Sequence, residues 1–376
     1  MLICDRQPRG LSNIVERIIE LKLGIIGLPG SGKSTVFRAL TGGIEVGDRG
    51  HQEPGLGVIK VQDTRLDVLT AYHKPKKTTP VHVEYTDVQG FSGQRRQGGS
   101  LGDKFLGHIR PVDALVHCVR FFESASLNPT APLKEFISLE EEMILSDLAV
   151  VEKRLERVRK ELQRGKKELA DEFDLLTNAA NLLDQGKPLR MFSREAVSEK
   201  LTGFSFLSLK PELVLINAGE GKTPSEALHA LAEIKAYVAD QHHMALEWLY
   251  ADTEAEIARL SPEDAYEFLR EMSLEQGAKD RIISTSFQLL NLIVFFTAGE
   301  PEVRAWQLKQ GATALKAAGT VHSDMERGFI RAEVLAFDDF TEAGSMTAAH
   351  KVGKLRLEGR DYKVKDGDII LFRFNV

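Results

Sequence analysis

The stretch LKLGIIGLPGSGKSTVFRAL, residues 21 to 40, constrains this chain more than any other part of it. Gly27 is followed by four residues and then by Gly32, Lys33 and Ser34, the full G-x-x-x-x-G-K-[ST] pattern. An apolar strand is expected before it, at Leu23 to Ile26. Val36, Phe37 and Leu40 predict a helix after it, starting near Lys33. The residue types follow from the chemistry. Glycines let backbone N–H groups curl around a β-phosphate, a lysine reaches the β and γ oxygens, and a hydroxyl completes the shell of Mg²⁺. The helix start adds its positive end. Gly27, Leu28, Pro29, Gly30, Ser31, Gly32, Lys33, Ser34 and Thr35 are therefore the expected nucleotide-binding segment. Lys33 is the expected catalytic cation, and Mg²⁺ the expected cofactor.

Three further segments read as neighbouring strands. Residues 81 to 85 of VHVEYTDVQG alternate in polarity and lead to Asp87 and Gly90. An acid at the tip of a strand beside a phosphate loop holds the metal, and a glycine N–H there senses the γ-phosphate. Ser34 and Asp87 are thus the expected metal ligands. The polar, glycine-rich segment GFSGQRRQGGSLGDKFL that follows has the composition of a switch loop. DALVHCVRFF and LVLIN supply two more buried strands, and Asn217 and Glu220 follow the end of the second. Strands separated by helices behind a phosphate loop predict an α/β fold, a doubly wound and mostly parallel sheet. Ligands lie at the carboxyl ends of such strands, which puts Asn217 and Glu220 where a base would be read. His108, Arg110 and His117 either approach the phosphates or support the sheet.

Between the last two strands lies a charged detour. Ile144, Leu148, Val151, Leu155, Val158 and Leu162 step by four and three, as do Leu169, Phe173, Leu176, Ala180 and Leu183. This predicts two heptad-like helices joined at Arg164 to Lys167, an antiparallel coiled-coil hairpin. Lys153, Arg154, Arg157, Arg159, Lys160, Arg164, Lys166 and Lys167 make its end basic. Such a surface suits RNA, and a solvated helix face laced with ion pairs is the alternative. Beyond Phe296, strand-like alternation in GFIRAEVLAFDDF, KLRLEGRDYKV and DIILFRFNV, with turn chemistry at 358–361 and 365–368, predicts a small β-rich interaction module. The expected divisions are an extension at 1–20, a nucleotide-binding domain at 21–295 interrupted by helices at 138–200, and a module at 296–376.

Bulk properties set limits. A net charge of −6 argues against general coating of nucleic acid, so DNA is not an expected partner, while a local basic patch remains open to RNA. Cys4 and Cys118 are too few for a disulfide framework or a four-ligand metal site. No apolar leader region is evident at MLICDRQPRG, and the run FQLLNLIVFF is too short to cross a bilayer. A soluble cytoplasmic protein with no membrane partner is expected.

Taken in order, GLPGSGKST, DALVHCVRFFE, FLSLKPELVLINAGE, FFTAGEPEVRAW, GATALKAA, ERGFIRAEVLAFDDF and KDGDIILFRFNV closely resemble the Obg-like ATPase family, often called YchF, from about Lys22 to Val376. The resemblance implies a translation-factor-related G domain, a coiled-coil insertion and a C-terminal TGS domain of ubiquitin-like β-grasp type. It also implies an Asn-x-x-Glu base motif, matched by Asn217 and Glu220, and ATP binding as well as or better than GTP. Glutamate is a methylene longer than the aspartate of a guanine reader. Loss of a bidentate contact removes ~1–3 kcal/mol of discrimination. Phe91 stands where Ras-like enzymes keep a water-orienting glutamine, so hydrolysis is expected to be slow without a partner. Three features depart from the family pattern. Gly30 replaces a usual asparagine associated with monovalent-cation binding, His51 replaces a switch threonine, and residues 1 to about 20 precede the usual start. The leading expectation is a Mg²⁺-dependent ATPase/GTPase coupling nucleotide state to the ribosome or ribosomal RNA. The alternatives are a GTP-specific ribosome-associated GTPase, an adaptor with negligible hydrolysis, and, ranked below these, a small-molecule phosphotransferase.

Overall fold

The computed structural model describes residues 21–43, 55–88, 102–125, 127–192, 201, 203–219, 224–239, 241, 243–271 and 277–375. His51, Gly90, Phe91, Glu220, the extension at 1–20 and most of the switch-like segment lie outside the described residues.

Among the described residues, twelve strands form two six-stranded sheets. In chain order they are β1 (Leu21–Ile26), β2 (Gly55–Lys60), β3 (Lys77–Thr79), β4 (His82–Asp87), β5 (Ala114–Phe121), β6 (Glu212–Ala218), β7 (Met244–Leu249), β8 (Leu292–Ala298), β9 (Glu302–Lys309), β10 (Phe329–Ala336), β11 (Arg356–Glu358) and β12 (Asp368–Phe374). The first sheet has the order β2-β4-β1-β5-β6-β7. All its pairings are parallel except that of β2 with β4, so the mostly parallel sheet carries one antiparallel edge. Parallel strands need crossovers, and helices α1 (Lys33–Thr41), α2 (Thr64–His73) and α3 (Asp103–Ile109) lie between the early strands. The near-continuous apolar run of β6, buried at every position, is what a strand covered on both faces requires.

Helix α4 (Pro132–Gln163) leaves the sheet after β5 and α5 (Ala170–Asp184) returns, joined through the turn at Arg164 to Lys166 and a short 3-10 segment. Val151, Val158, Leu176, Ala179 and Leu183 pack between them. The division expected at 138 falls inside α4. The helix begins six residues earlier, where Phe136 and Leu139 pack on the sheet instead of on α5.

The second sheet has the order β11-β10-β12-β8-β9-β3 and is a mixed sheet of the kind a TGS-like unit calls for. Two expectations are corrected here. The apolar run at 287–296 splits into the end of a helix and β8, which lies wholly in the second sheet, so a division at 295/296 cuts a strand. The stretch FDDF does not extend β10. It forms a helix, Phe337–Ala343, with Phe340 buried and Gly344 closing it in a left-handed conformation. β3, from the nucleotide-binding half, completes the second sheet by pairing with β9. One core runs between the sheets, with Phe37, Leu69 and Val83 in the same cluster as Phe296, Val303, Leu335 and Ile369.

Candidate nucleotide site

The phosphate loop connects β1 to α1 at the carboxyl edge of the first sheet. Gly27, Gly30 and Gly32 all have positive φ, of 152°, 79° and 87°. A side chain at two of these positions would also collide. A Cβ on Gly32 would lie 2.2 Å from Asn217 Nδ2, and one on Gly27 would lie 2.4 Å from the Cys118 carbonyl oxygen. The glycines are thus fixed by backbone shape and by the strands pressed against the loop. Lys33 Nζ donates to the Gly27 and Leu28 carbonyl oxygens, both at 2.9 Å, so the ammonium lies along the inner rim of the loop. Burial lowers its pKa, opposed by the Cys118 and Asp87 side chains nearby.

Ser34 Oγ donates to Asp87 Oδ2 at 2.8 Å, bringing together the two residues expected to hold a metal. One sits on the first turn of α1 and the other is the last residue of β4, which pairs with β1 directly beneath the loop. A carboxylate and a hydroxyl, with no nitrogen or sulfur donor, fit a hard, oxygen-preferring divalent ion such as Mg²⁺. Asn217 Nδ2 donates to the Ser31 carbonyl at 3.1 Å, and its Oδ1 accepts from Ala251 N at 3.3 Å. Asn217 therefore ties the loop to the ends of β6 and β7. Leu28, Pro29, Gly30, Ser31 and Thr35 lie in the same loop and first helical turn, with Pro29 and Gly30 exposed and Ser31 buried.

Three residues at the loop escape a reading of the sequence. Cys118 donates its thiol to the Ser31 carbonyl at 3.1 Å, and burial pushes its pKa up to about 12, so it stays a donor. The Phe122 side chain abuts both Gly32 and Gly219, and Leu127 lies over Gly30. Nothing local marks them, although Cys118 and Phe122 stand in the segment DALVHCVRFF, expected at this edge. Of the basic residues with two possible roles, His117 is buried against Glu212 within the sheet.

Two family descriptions match the chain. One, a 50S ribosome-binding GTPase, covers residues 22–153; the other, the C-terminal part of YchF-type GTPases, described as a protein of unknown function, covers 292–375. The "Ribosome-binding ATPase YchF" of Bacillus subtilis (strain 168) is 39% identical over 365 residues, 95% of this chain and 100% of the relative. The chain belongs to the YchF family. The protein of the same name from Escherichia coli O157:H7 is 37% identical over 94% of this chain and 99% of its own. Among solved structures, the YchF GTPase of Schizosaccharomyces pombe superposes with a TM-score of 0.80 at 29% identity, over 94% of this chain and 98% of that one. In the YchF frame the first matched region runs into α4 and the second begins at β8; the phosphate loop and Asp87 lie in the first, and Asn217 lies between the two.

Proposed function

We propose that this YchF-family chain is a Mg²⁺-dependent nucleoside triphosphatase of low intrinsic rate, taking ATP alongside or in preference to GTP, whose nucleotide state governs its association with the ribosome. The observation that carries the chemistry is the meeting of Ser34 and Asp87 at 2.8 Å beside the Lys33 ammonium. The ribosome enters from the two relatives above, both named ribosome-binding ATPases.

In this reading the loop N–H groups from Gly27 to Ser34 bind the phosphates. Lys33 exchanges its two carbonyl partners for phosphate oxygens and offsets the charge that grows on them in the transition state. Ser34 and Asp87 would hold Mg²⁺, which would supply positive charge to offset that of the phosphates. Asn217 spends one donor and one acceptor on the protein itself, so it shapes the base pocket from below and leaves discrimination to Glu220. Gly90 reports the γ-phosphate. Phe91 cannot orient water, which makes the ribosome the natural source of the missing activation, in the cytoplasm where ribosomes are.

Calorimetric titration with non-hydrolysable analogues of ATP and GTP, each with Mg²⁺, tests the base preference. ATP binding equally or more tightly is expected. GTP tighter by more than about tenfold, ~1.4 kcal/mol, overturns it. Phe91 and His51 favour one second reading, a nucleotide-gated ribosome adaptor that scarcely hydrolyses. Single-turnover hydrolysis that stays flat when ribosomes are added selects that reading.

A further inference from the structure

Four ionisable side chains, none more than 1% exposed, meet where the helical arm joins the first sheet. Glu140 comes from α4, and Arg190 from the short helical turn Leu189–Met191 that follows α5. His117 lies within β5 and Glu212 opens β6. Arg190 Nη1 donates to Glu140 Oε2 at 2.6 Å, and its Nη2 lies 2.6 Å from Glu212 Oε2. His117 Nδ1 is 2.7 Å from Glu212 Oε1. The imidazole and the two carboxylates have the makings of a metal site, with ligand atoms within 4.8 Å of one another. The guanidinium, however, already pairs with both carboxylates and supplies the positive charge an ion would bring. Among the described residues none of the four makes a hydrogen bond or ion pair to the phosphate loop, so hydrolysis does not account for their pairing, although the Lys33 charge helps hold His117 neutral. Nor is stability a sufficient reason, because well-packed apolar residues often do as well as a buried ion pair.

Their placement points to a mechanical role. His117 adjoins Cys118 on β5, and Glu212 is on the same strand as Asn217; Cys118 and Asn217 both donate to the Ser31 carbonyl of the phosphate loop. On the arm side, Asp147 of α4 accepts from Leu207 N, Ser208 N and Ser208 Oγ, and the Ser208 carbonyl accepts from Arg190 N. Both roots of the hairpin and both strands that grip Ser31 therefore converge on one buried cluster. Pulling Arg190 away from Glu140 and Glu212 would strand its guanidinium charge in the interior, so the pairing cannot stretch by small steps.

We propose that Glu140, Arg190, Glu212 and His117 form the joint that makes the helical arm and the phosphate loop move as one body, coupling nucleotide state to arm position. The proposal deepens the function proposed above and rests on it for the arm's partner, but the coupling itself needs no ribosome. Coupling free energies are reciprocal, so the nucleotide must alter the arm as the arm alters the nucleotide site.

The test is hydrogen exchange, read by mass spectrometry on the full chain with and without a non-hydrolysable ATP analogue and Mg²⁺. In the wild type, exchange across residues 151–183 changes by about fivefold or more on nucleotide binding, the low end of ordinary allosteric couplings. In Arg190→Met, and in the paired Glu140→Met, Arg190→Met exchange that keeps the site filled with apolar volume, the phosphate loop still responds and the arm does not. A wild-type arm indifferent to nucleotide overturns the joint. So does an arm response that persists in the folded paired variant. If the arm responds while ribosomes neither bind nor stimulate, the joint stands and the ribosome reading falls. Nucleotide-dependent ribosome binding with a silent arm has the opposite meaning.

Discussion

Lys33 rests on two carbonyl oxygens of its own loop, and a phosphate is the partner that would replace them. Charge-assisted hydrogen bonds contribute ~1.5–3 kcal/mol, so Lys33→Ala should weaken ATP binding by about 10- to 150-fold in calorimetry; unchanged affinity would remove Lys33 from the site. Gly32→Ala places a methyl against Asn217 at a φ of 87°, where a strained backbone costs ~1–3 kcal/mol. Its denaturant midpoint should fall and its nucleotide binding be lost together, whereas a variant of wild-type stability and affinity contradicts the packing described. The buried quartet has its own pH signature. Burial pushes Glu140 up to about 8 from an ordinary 4.5 and His117 down to about 4 from 6.5. Folded Glu140 keeps a proton that the unfolded chain releases, so its contribution to stability falls as pH rises towards 8. Folded His117 refuses a proton that the unfolded chain binds, so its contribution falls as pH drops below 6.5 towards 4. The two slopes oppose each other between 4.5 and 6.5 and leave a net loss from 6.5 to 8. Denaturant midpoints at the two ends of that window should show the loss in the wild type and a flatter profile in Glu140→Gln; equal slopes would mean that Glu140 is ionised in the fold.

The arm is the element whose stability is most separable. Leu176 is fully buried between α4 and α5, and Leu176→Ala should cost ~2–5 kcal/mol in urea unfolding; a loss under about half a kcal/mol, the range of surface substitutions, would mean that the helices do not pack along this seam. The hairpin is legible in the sequence because Val151, Leu155 and Val158, and then Phe173, Leu176 and Ala180, step by four and three. The start of α4 is not, because Phe136 and Leu139 keep the helical period while changing partner from α5 to the sheet, and periodicity does not record which surface an apolar face meets. β3 cannot be read from Lys77 to Thr79, three residues whose strand state comes from pairing with β9 more than two hundred residues later. The helix at Phe337–Ala343 is hidden because FDDF follows directly on the alternation of β10, and Phe337 and Phe340 give only one helical step over so short a run. By contrast, β1, β5 and β6 stand out as apolar runs and β4 by its alternation, and the positions of the expected site residues Lys33, Ser34, Asp87 and Asn217 beyond or at the ends of these strands are legible in the sequence.

At the scale of the whole molecule, motif order carries the family, but no pattern in the sequence joins His117, Glu140, Arg190 and Glu212, which only the fold collects. The chain is acidic overall, yet its arm ends in exposed Lys153, Arg157, Arg164 and Lys167, which have no ion pair among the described residues; Arg154, Lys160 and Lys166 are paired with glutamates. If that tip meets ribosomal RNA, association weakens as salt rises, and charge reversal at Arg164 and Lys167 reduces the salt slope by about one for each phosphate no longer neutralised; a slope that does not change places the RNA-binding surface elsewhere. The central claim, that nucleotide state governs ribosome association, is tested most directly by co-sedimentation with ribosomes at fixed Mg²⁺ in the presence of a non-hydrolysable ATP analogue or of ADP. Affinities should differ by about fivefold or more between the two states, with the difference abolished in Lys33→Ala; equal co-sedimentation in both states would mean that the nucleotide does not govern association.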